Sequence, residues 1–235
     1  MFKSEEAQST RLLYYEDPYL KEFDAKVMAV KRLNEQVGLV LDKTAFYPAG
    51  GGQPADIGVI KGSNGEAKII DVHMEKETVL HITNQIAGKI DKEGIVKGFI
   101  DWDRRYRLMR NHTLAHLMAE AVREATGLPL EVVGSGLDVD KARLDFNCEG
   151  SLGSLLPEIE KVANMAIKEN RRVEIKTMPR AEAEKHVERF HESLKILPSH
   201  VQNVRIVEVE NWHACACGGT HVKSTGEIGA AEVLG

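Results

Sequence analysis

The chain has 235 residues, 43% hydrophobic and 29% charged, with a formal net charge of −5. That length can bury a proper core in one large domain or two small ones, and the mild acidity argues against a general nucleic-acid binder while leaving room for local basic patches. No apolar run has signal-peptide or membrane-spanning length, which predicts a cytoplasmic protein with no membrane partner, and three cysteines (Cys148, Cys215 and Cys217) are too few and too unevenly spaced for a disulfide framework.

The first hundred residues read as strands and turns. "KVMAVKRLN", "VGLVLDKTAFYP", "DIGVIKG", "AKIIDVHME", "ETVLHITNQI" and "EGIVKGFID" are short and rich in β-branched residues, with Gly, Asn and Asp between them. Their even spacing predicts a small barrel or curled sheet. From Asp101 the pattern changes. Leu114, Leu117, Met118, Ala121, Val122 and Ala125 keep helical spacing over 101–126, with Asp101 or Asp103 as cap and Gly127 as stop. Beyond it, "ARLDFNCE" reads as strand, 154–172 as helix, "VEIKTMP" as strand and "RAEAEKHVERF" as helix. "VRIVEVE" and "GEIGAAEVL" both read as strands. The predicted class is α+β: a β-barrel subdomain at 1–100, then an α+β domain at 101–235.

The long helix carries "HTLAH". His112 and His116 are four apart, so they share one face and can reach one ion. Two solvated histidines would have the same spacing. No Glu follows His112, which removes the H-E-x-x-H proteases. Near the C-terminus "NWHACACGGTHVKSTGEIG" places Cys217 and His221 four apart across a Gly-Gly pair that argues for a loop. One thiolate and three imidazoles match the preference of zinc. Cys215 and His213 are weaker candidates, the C-x-C lacks a thioredoxin-like setting, and Cys148 reads as a small buried hydrophobe.

A second informative stretch, "DKTAFYPAGGGQPADIGVI", contains Gly50, Gly51 and Gly52. They permit positive φ and close approach by a ligand, or simply a tight turn. No Gly-Lys-Ser/Thr follows, so it is not a P-loop. In "DWDRRYRLMRN", Arg104, Arg105, Arg107 and Arg110 form a basic cluster. It could contact phosphates or pair with Asp101 and Asp103 at a solvated helix start, and Lys168, Arg171 and Arg172 form a second such patch.

"NHTLAHLMAEAV", "CGGTHVKSTGEIG" and "FYPAGGGQPADIG", with "VVGSGLDVDKARLDF" between them, resemble the alanyl-tRNA editing family in order and over about residues 20–235. That family comprises the editing domain of alanyl-tRNA synthetase and its free-standing AlaX relatives. The resemblance implies zinc held by His112, His116, Cys217 and His221. It places Gly50, Gly51, Gly52 and Gln53 near the tRNA substrate; Thr44 is taken with that set, and Arg104 and Arg105 fit as acceptor-stem contacts or as a solvated helix start. The implied activity is hydrolysis of mischarged tRNA(Ala), carrying serine or glycine, by zinc-assisted water attack on the aminoacyl ester. No side-chain nucleophile is assigned, and neither ATP nor amino-acid activation is expected. The length and the glycine-rich segment point to a free-standing, medium-length form. Many synthetase editing domains carry Gln two residues before the Gly-Ser, where this chain has Val132, so the details of amino-acid discrimination do not transfer.

Three rival readings fit the same motifs. A threonyl-type editing domain shares both histidine-containing motifs but usually has Pro where Thr220 stands. A zinc-stabilised RNA-binding module would bind tRNA without deacylating it, and a zinc hydrolase of small esters or amides would be indifferent to tRNA.

Overall fold

In the computed structural model, residues 9–195 and 197–234 are described. The chain divides into two compact units, Met1–Tyr106 and Arg107–Gly235. In the first unit the strands are β1 (Arg11–Leu12), β2 (Glu22–Leu33), β3 (Gln36–Leu41), β4 (Lys43–Thr44), β5 (Gly58–Gly62), β6 (Asn64–Ile69), β7 (Asp71–Glu75), β8 (Thr78–Thr83), β9 (Ile86–Lys89) and β10 (Ile95–Ile100). β1 and β4 form a parallel pair, while the other eight form one sheet in the order β7-β8-β3-β2-β10-β5-β6-β9.

The long strand β2 organises this sheet. Its first half pairs with β10 and its second half with β3, and the register slips between Val27 and Ala29. A bulge at that point bends the strand and sharpens its twist, so the two wings curl over one core. Phe23, Ala25 and Val27 alternate inward from β2 and meet Leu39 and Leu41 of one wing and Ile60, Ile69 and Val96 of the other. The predicted barrel is corrected here: β7 and β9 end the strand order, and among the described residues they do not pair with each other. The curvature comes from the bulge in β2, without closure.

A buried histidine in this core gives a pH prediction. His81 is fully buried, its Nδ1 lies 2.9 Å from the Leu39 carbonyl and its Nε2 2.8 Å from the Thr44 hydroxyl. A carbonyl only accepts, so Nδ1 carries the proton and Thr44 donates to Nε2. Burial pushes the imidazole down to about 4, against the opposing effect of the Leu39 bond. The folded unit therefore holds a neutral ring, whereas the unfolded chain protonates it below roughly pH 6.5. Stability is expected to fall by about 1.4 kcal/mol per pH unit from roughly pH 6.5 to about pH 4, about 3 kcal/mol in all. Urea unfolding across that range should show a shallower decline for His81→Gln.

In the second unit the elements are β11 (Val132–Leu137), β12 (Ala142–Phe146), α2 (Leu156–Lys168), β13 (Val173–Pro179), α3 (Arg180–Glu188), β14 (Asn203–Val209) and β15 (His213–Ala216). They follow α1 (Trp102–Thr126), whose first residues belong to the first unit. Asp101 caps α1, accepting the Arg104 N–H on its Oδ1 at 3.2 Å, and Gly127 ends it at φ +67°. β11 and β12 form a hairpin, and β13-β14-β15 an antiparallel sheet. Ala121 and Val122 of α1 pack with Ile159 and Ala163 of α2, while Ala183 and Val187 of α3 cover Val204 and Ile206 of β14.

Two expectations fail locally. "GEIGAAEVL" is not a strand: Thr225–Ile228 is a 3₁₀ turn closed by a Ser224–Glu227 capping box, and Gly229 leaves it at φ +89°. Conversely, β15 is a strand over residues the sequence did not mark, because β14 supplies its ladder.

Candidate metal centre

Helix α1 sets two histidines one turn apart, and the loop after β15 brings Cys217 and His221 to them. The four side chains offer ligand atoms within 4.8 Å of one another. Cys217 Sγ lies 3.4 Å from His112 Nε2 and 3.3 Å from His221 Nε2. A tetrahedral ion with zinc-like bond lengths needs S···N edges of about 3.5 Å, so these spacings fit. The histidines are all buried, His221 to within 1%.

The orientation of His221 is fixed from behind. The Thr113 hydroxyl donates to the Met109 carbonyl at 3.0 Å and lies 3.1 Å from His221 Nδ1. With its proton spent, Thr113 accepts from Nδ1–H, which leaves the Nε2 lone pair towards Cys217. Val222 N–H also donates to Thr113 Oγ1, at 3.2 Å. Thr113→Val should therefore weaken metal affinity by about 10- to 100-fold, measurable by competition with a chromophoric chelator.

The electrostatics suit a cation. Burial pushes His112 down to about 4, helped by the Arg205 charge. Burial holds His116 and His221 well below the ordinary imidazole value, with further lowering from neighbouring histidines and Arg205. All three are neutral near pH 7, with lone pairs available. Burial raises the Cys217 thiol, against a hydrogen bond from Gly219 N–H at 3.4 Å and the Arg205 charge. A bound cation supplies the charge that a buried thiolate lacks. The group could hold a metal ion, and nitrogen and sulfur donors of this kind are ones that zinc accepts.

The glycine-rich residues form a hairpin tip in the first unit. Gly50 and Gln53 exchange backbone hydrogen bonds at 3.1 and 3.0 Å, and Gly51 and Gly52 between them have φ +58° and +82°. Two consecutive positive φ angles mark a type I′ turn, which glycine adopts without strain. The glycines are exposed, but Thr44 and Gln53 are buried. Thr44 is committed to His81 and to the Phe46 N–H at 3.1 Å.

Arg105 is fully buried. Its Nε lies 3.0 Å from each Asp56 carboxylate oxygen, its Nη1 donates to the Pro18 carbonyl at 2.8 Å, and its Nη2 donates to Ala45 O and Asp56 Oδ2. Asp56 Oδ2 also accepts the Tyr47 N–H at 2.6 Å. The phosphate contact expected of Arg105 is thus replaced by an internal clamp on both stems of the glycine hairpin. Arg104 is half-buried, with Nε 3.3 Å from the Ala55 carbonyl. In the second unit Arg107 pairs with Asp140, Arg110 donates to the Ile228 carbonyl, and Arg171 and Arg172 pair with Glu169 and Glu174.

Sequence reasoning passed over three neighbours of the metal group, Thr113, Arg205 and Glu192, and ranked the buried His213 only as a weaker candidate. Strand alternation through His213, Cys215 and Cys217 was the available signal. A cavity of about 640 Å³ borders another face of α1, lined by Asn111, Met118 and Val122 with the β11–β12 hairpin and residues 230–234. None of the four donors lines it.

A β-rich unit with a glycine hairpin and an α+β unit with a Cys-His₃ group define a two-unit protein with a candidate metal centre. Residues 3–104 match the family described as tRNA synthetases class II (A), and residues 204–235 match the threonyl and alanyl tRNA synthetase second additional domain. The alanine–tRNA ligase of Pyrococcus furiosus is 42% identical over 96% of this chain, which spans 24% of that protein. The chain thus spans about a quarter of the length of the ligases it matches. The proteins named alanyl-tRNA editing protein AlaX-M from Methanosarcina mazei and Methanosarcina acetivorans are 38% and 37% identical over 95% of this chain. It covers 90% and 92% of them, respectively. The chain belongs to the family of these AlaX-M proteins.

No described helix is long and apolar enough to cross a membrane.

Proposed function

We propose that this protein is a trans-editing hydrolase that deacylates mischarged tRNA(Ala), with Ser-tRNA(Ala) as principal substrate and Gly-tRNA(Ala) as a second. The observation that carries the reading is the group of buried His112, His116 and His221 with half-buried Cys217, in a chain that covers 90% of an AlaX-M relative. A zinc ion held there would polarise the ester carbonyl or lower the pKa of a water molecule.

The chain's own residues do the rest. Thr113 sets the His221 tautomer, and Cys217 is committed as ligand, so the attacking group is water. Four protein donors close a tetrahedron, which favours a positioning role for the centre. In this reading residues 1–100 present the hairpin tip at Gly50–Gly52 to the acceptor end, Arg104 contributes charge, and residues 101–235 carry the chemistry. Thr44, Gln53 and Arg105 act as internal supports of the hairpin.

Gly51 tests the hairpin's part. A Cβ there meets nothing within 4 Å among the described residues, so packing does not require glycine. Gly51→Ala should cost only the left-handed backbone strain, about 1–2 kcal/mol in urea unfolding. Deacylation should fall by more than roughly 10-fold, because small misplacements of substrate are costly. A stability loss with unchanged turnover would remove the hairpin from the site.

The whole reading is tested by comparing Ser-tRNA(Ala) with Ser-tRNA(Thr). Deacylation of the first alone supports it, deacylation of the second alone assigns the threonyl-type activity, and tight binding without turnover assigns an RNA-binding module.

A further inference from the structure

Beside the four-donor group lies a cluster that the proposed reaction does not use. His116, His213 and Cys215 offer ligand atoms within 4.8 Å of one another, and Cys215 Sγ stands 3.8 Å from His116 Nδ1 and 3.9 Å from its Nε2. Period-two geometry in β15 puts His213 and Cys215 on one face of the strand, leading into Cys217.

His213 has the setting of a ligand. Its Nε2 lies 3.2 Å from Glu192 Oε1, and the Arg123 guanidinium holds the same oxygen at 2.6 Å. Arg123 is itself buried and anchored to the carbonyls of Leu130 and Phe190 at 2.9 and 3.0 Å. An ionised carboxylate only accepts, so Nε2 carries a proton, and in the neutral ring Nδ1 keeps its lone pair. That Nδ1 is buried and has no hydrogen-bond partner among the described residues. An unmatched polar atom in an interior asks for an explanation. A carboxylate holding one nitrogen of a histidine, with the other left open beside a thiol and a second imidazole, is how proteins orient a metal ligand.

A neutral imidazole has one lone pair, so His116 can serve only one ion at a time. We propose that His116, His213 and Cys215 form a second seat for the ion, alternative to the four-donor seat, with His116 as the shared ligand. This rests on reading His112, His116, Cys217 and His221 as a metal site. Three protein donors leave a tetrahedral ion one position for water or a substrate oxygen, which the four-donor seat does not.

Cobalt(II) tests the proposal on the full chain stripped of metal, with ions counted per chain and the thiolate-to-cobalt charge-transfer band recorded. Wild type should bind one ion. Cys217→Ala should still bind one and keep a thiolate band, now from Cys215. Adding Cys215→Ala should abolish the band, and adding His213→Ala instead should release the ion. If Cys217→Ala does not fold by circular dichroism, Cys217→Ser takes its place, and its thiolate band should vanish on adding Cys215→Ala. A folded Cys217→Ala protein that binds no cobalt, or binds it without a thiolate band, overturns the second seat. Two ions on wild type overturn the sharing of His116. A wild type that binds no cobalt removes the underlying reading as well.

Discussion

Replacing Cys217 by alanine is expected to lower the rate of serine release from Ser-tRNA(Ala) by about 10³-fold, a barrier change of about 4 kcal/mol. The sulfur lies 3.3–3.4 Å from His112 Nε2 and His221 Nε2, and without it the four-donor group loses its only anionic member. Chelator treatment of wild type should give the same loss, reversed by added zinc. Single-turnover deacylation with metal content measured on the same samples checks both points. Full activity in a metal-free protein would contradict the role given to the four donors.

Arg105→Ala is expected to destabilise the first unit by about 3–5 kcal/mol, the usual result of leaving one member of a buried ion pair unmatched. Arg105 and Asp56 are both buried, and their contacts reach Pro18, Ala45 and Tyr47. Arg105→Ala combined with Asp56→Ala should cost less than the two single changes together, since the double variant leaves no unpaired charge. Urea unfolding of all three variants measures the coupling. Single-variant losses below about 1 kcal/mol would mean that the pair is screened by water, as exposed pairs are.

The parts of the site set by local periodicity could be read from the sequence. His112 and His116 share a face because the helix repeats every 3.6 residues, and three consecutive glycines announce a turn. What depended on distant partners could not be read. Nothing in "DWDRRYRLMRN" says which arginine points inward, because Asp56 lies 49 residues away. Barrel closure required pairing between β7 and β9, and no local pattern decides whether two edges meet. β15 escaped notice because His, Ala and Cys give little strand signal until β14 pairs with them. "GEIGAAEVL" reads as a strand by composition, yet the Ser224–Glu227 capping box and two glycines turn it into a 3₁₀ segment.

The central claim is that this protein removes the wrong amino acid from tRNA(Ala). The most direct measurement is the time course of radiolabelled Ser-tRNA(Ala) and Ala-tRNA(Ala) incubated side by side with zinc-loaded protein. Rapid loss of the serine ester, with the alanine ester decaying at the uncatalysed rate, is the predicted result. A folded, zinc-loaded protein that leaves both esters intact, or that cleaves both equally, would contradict it.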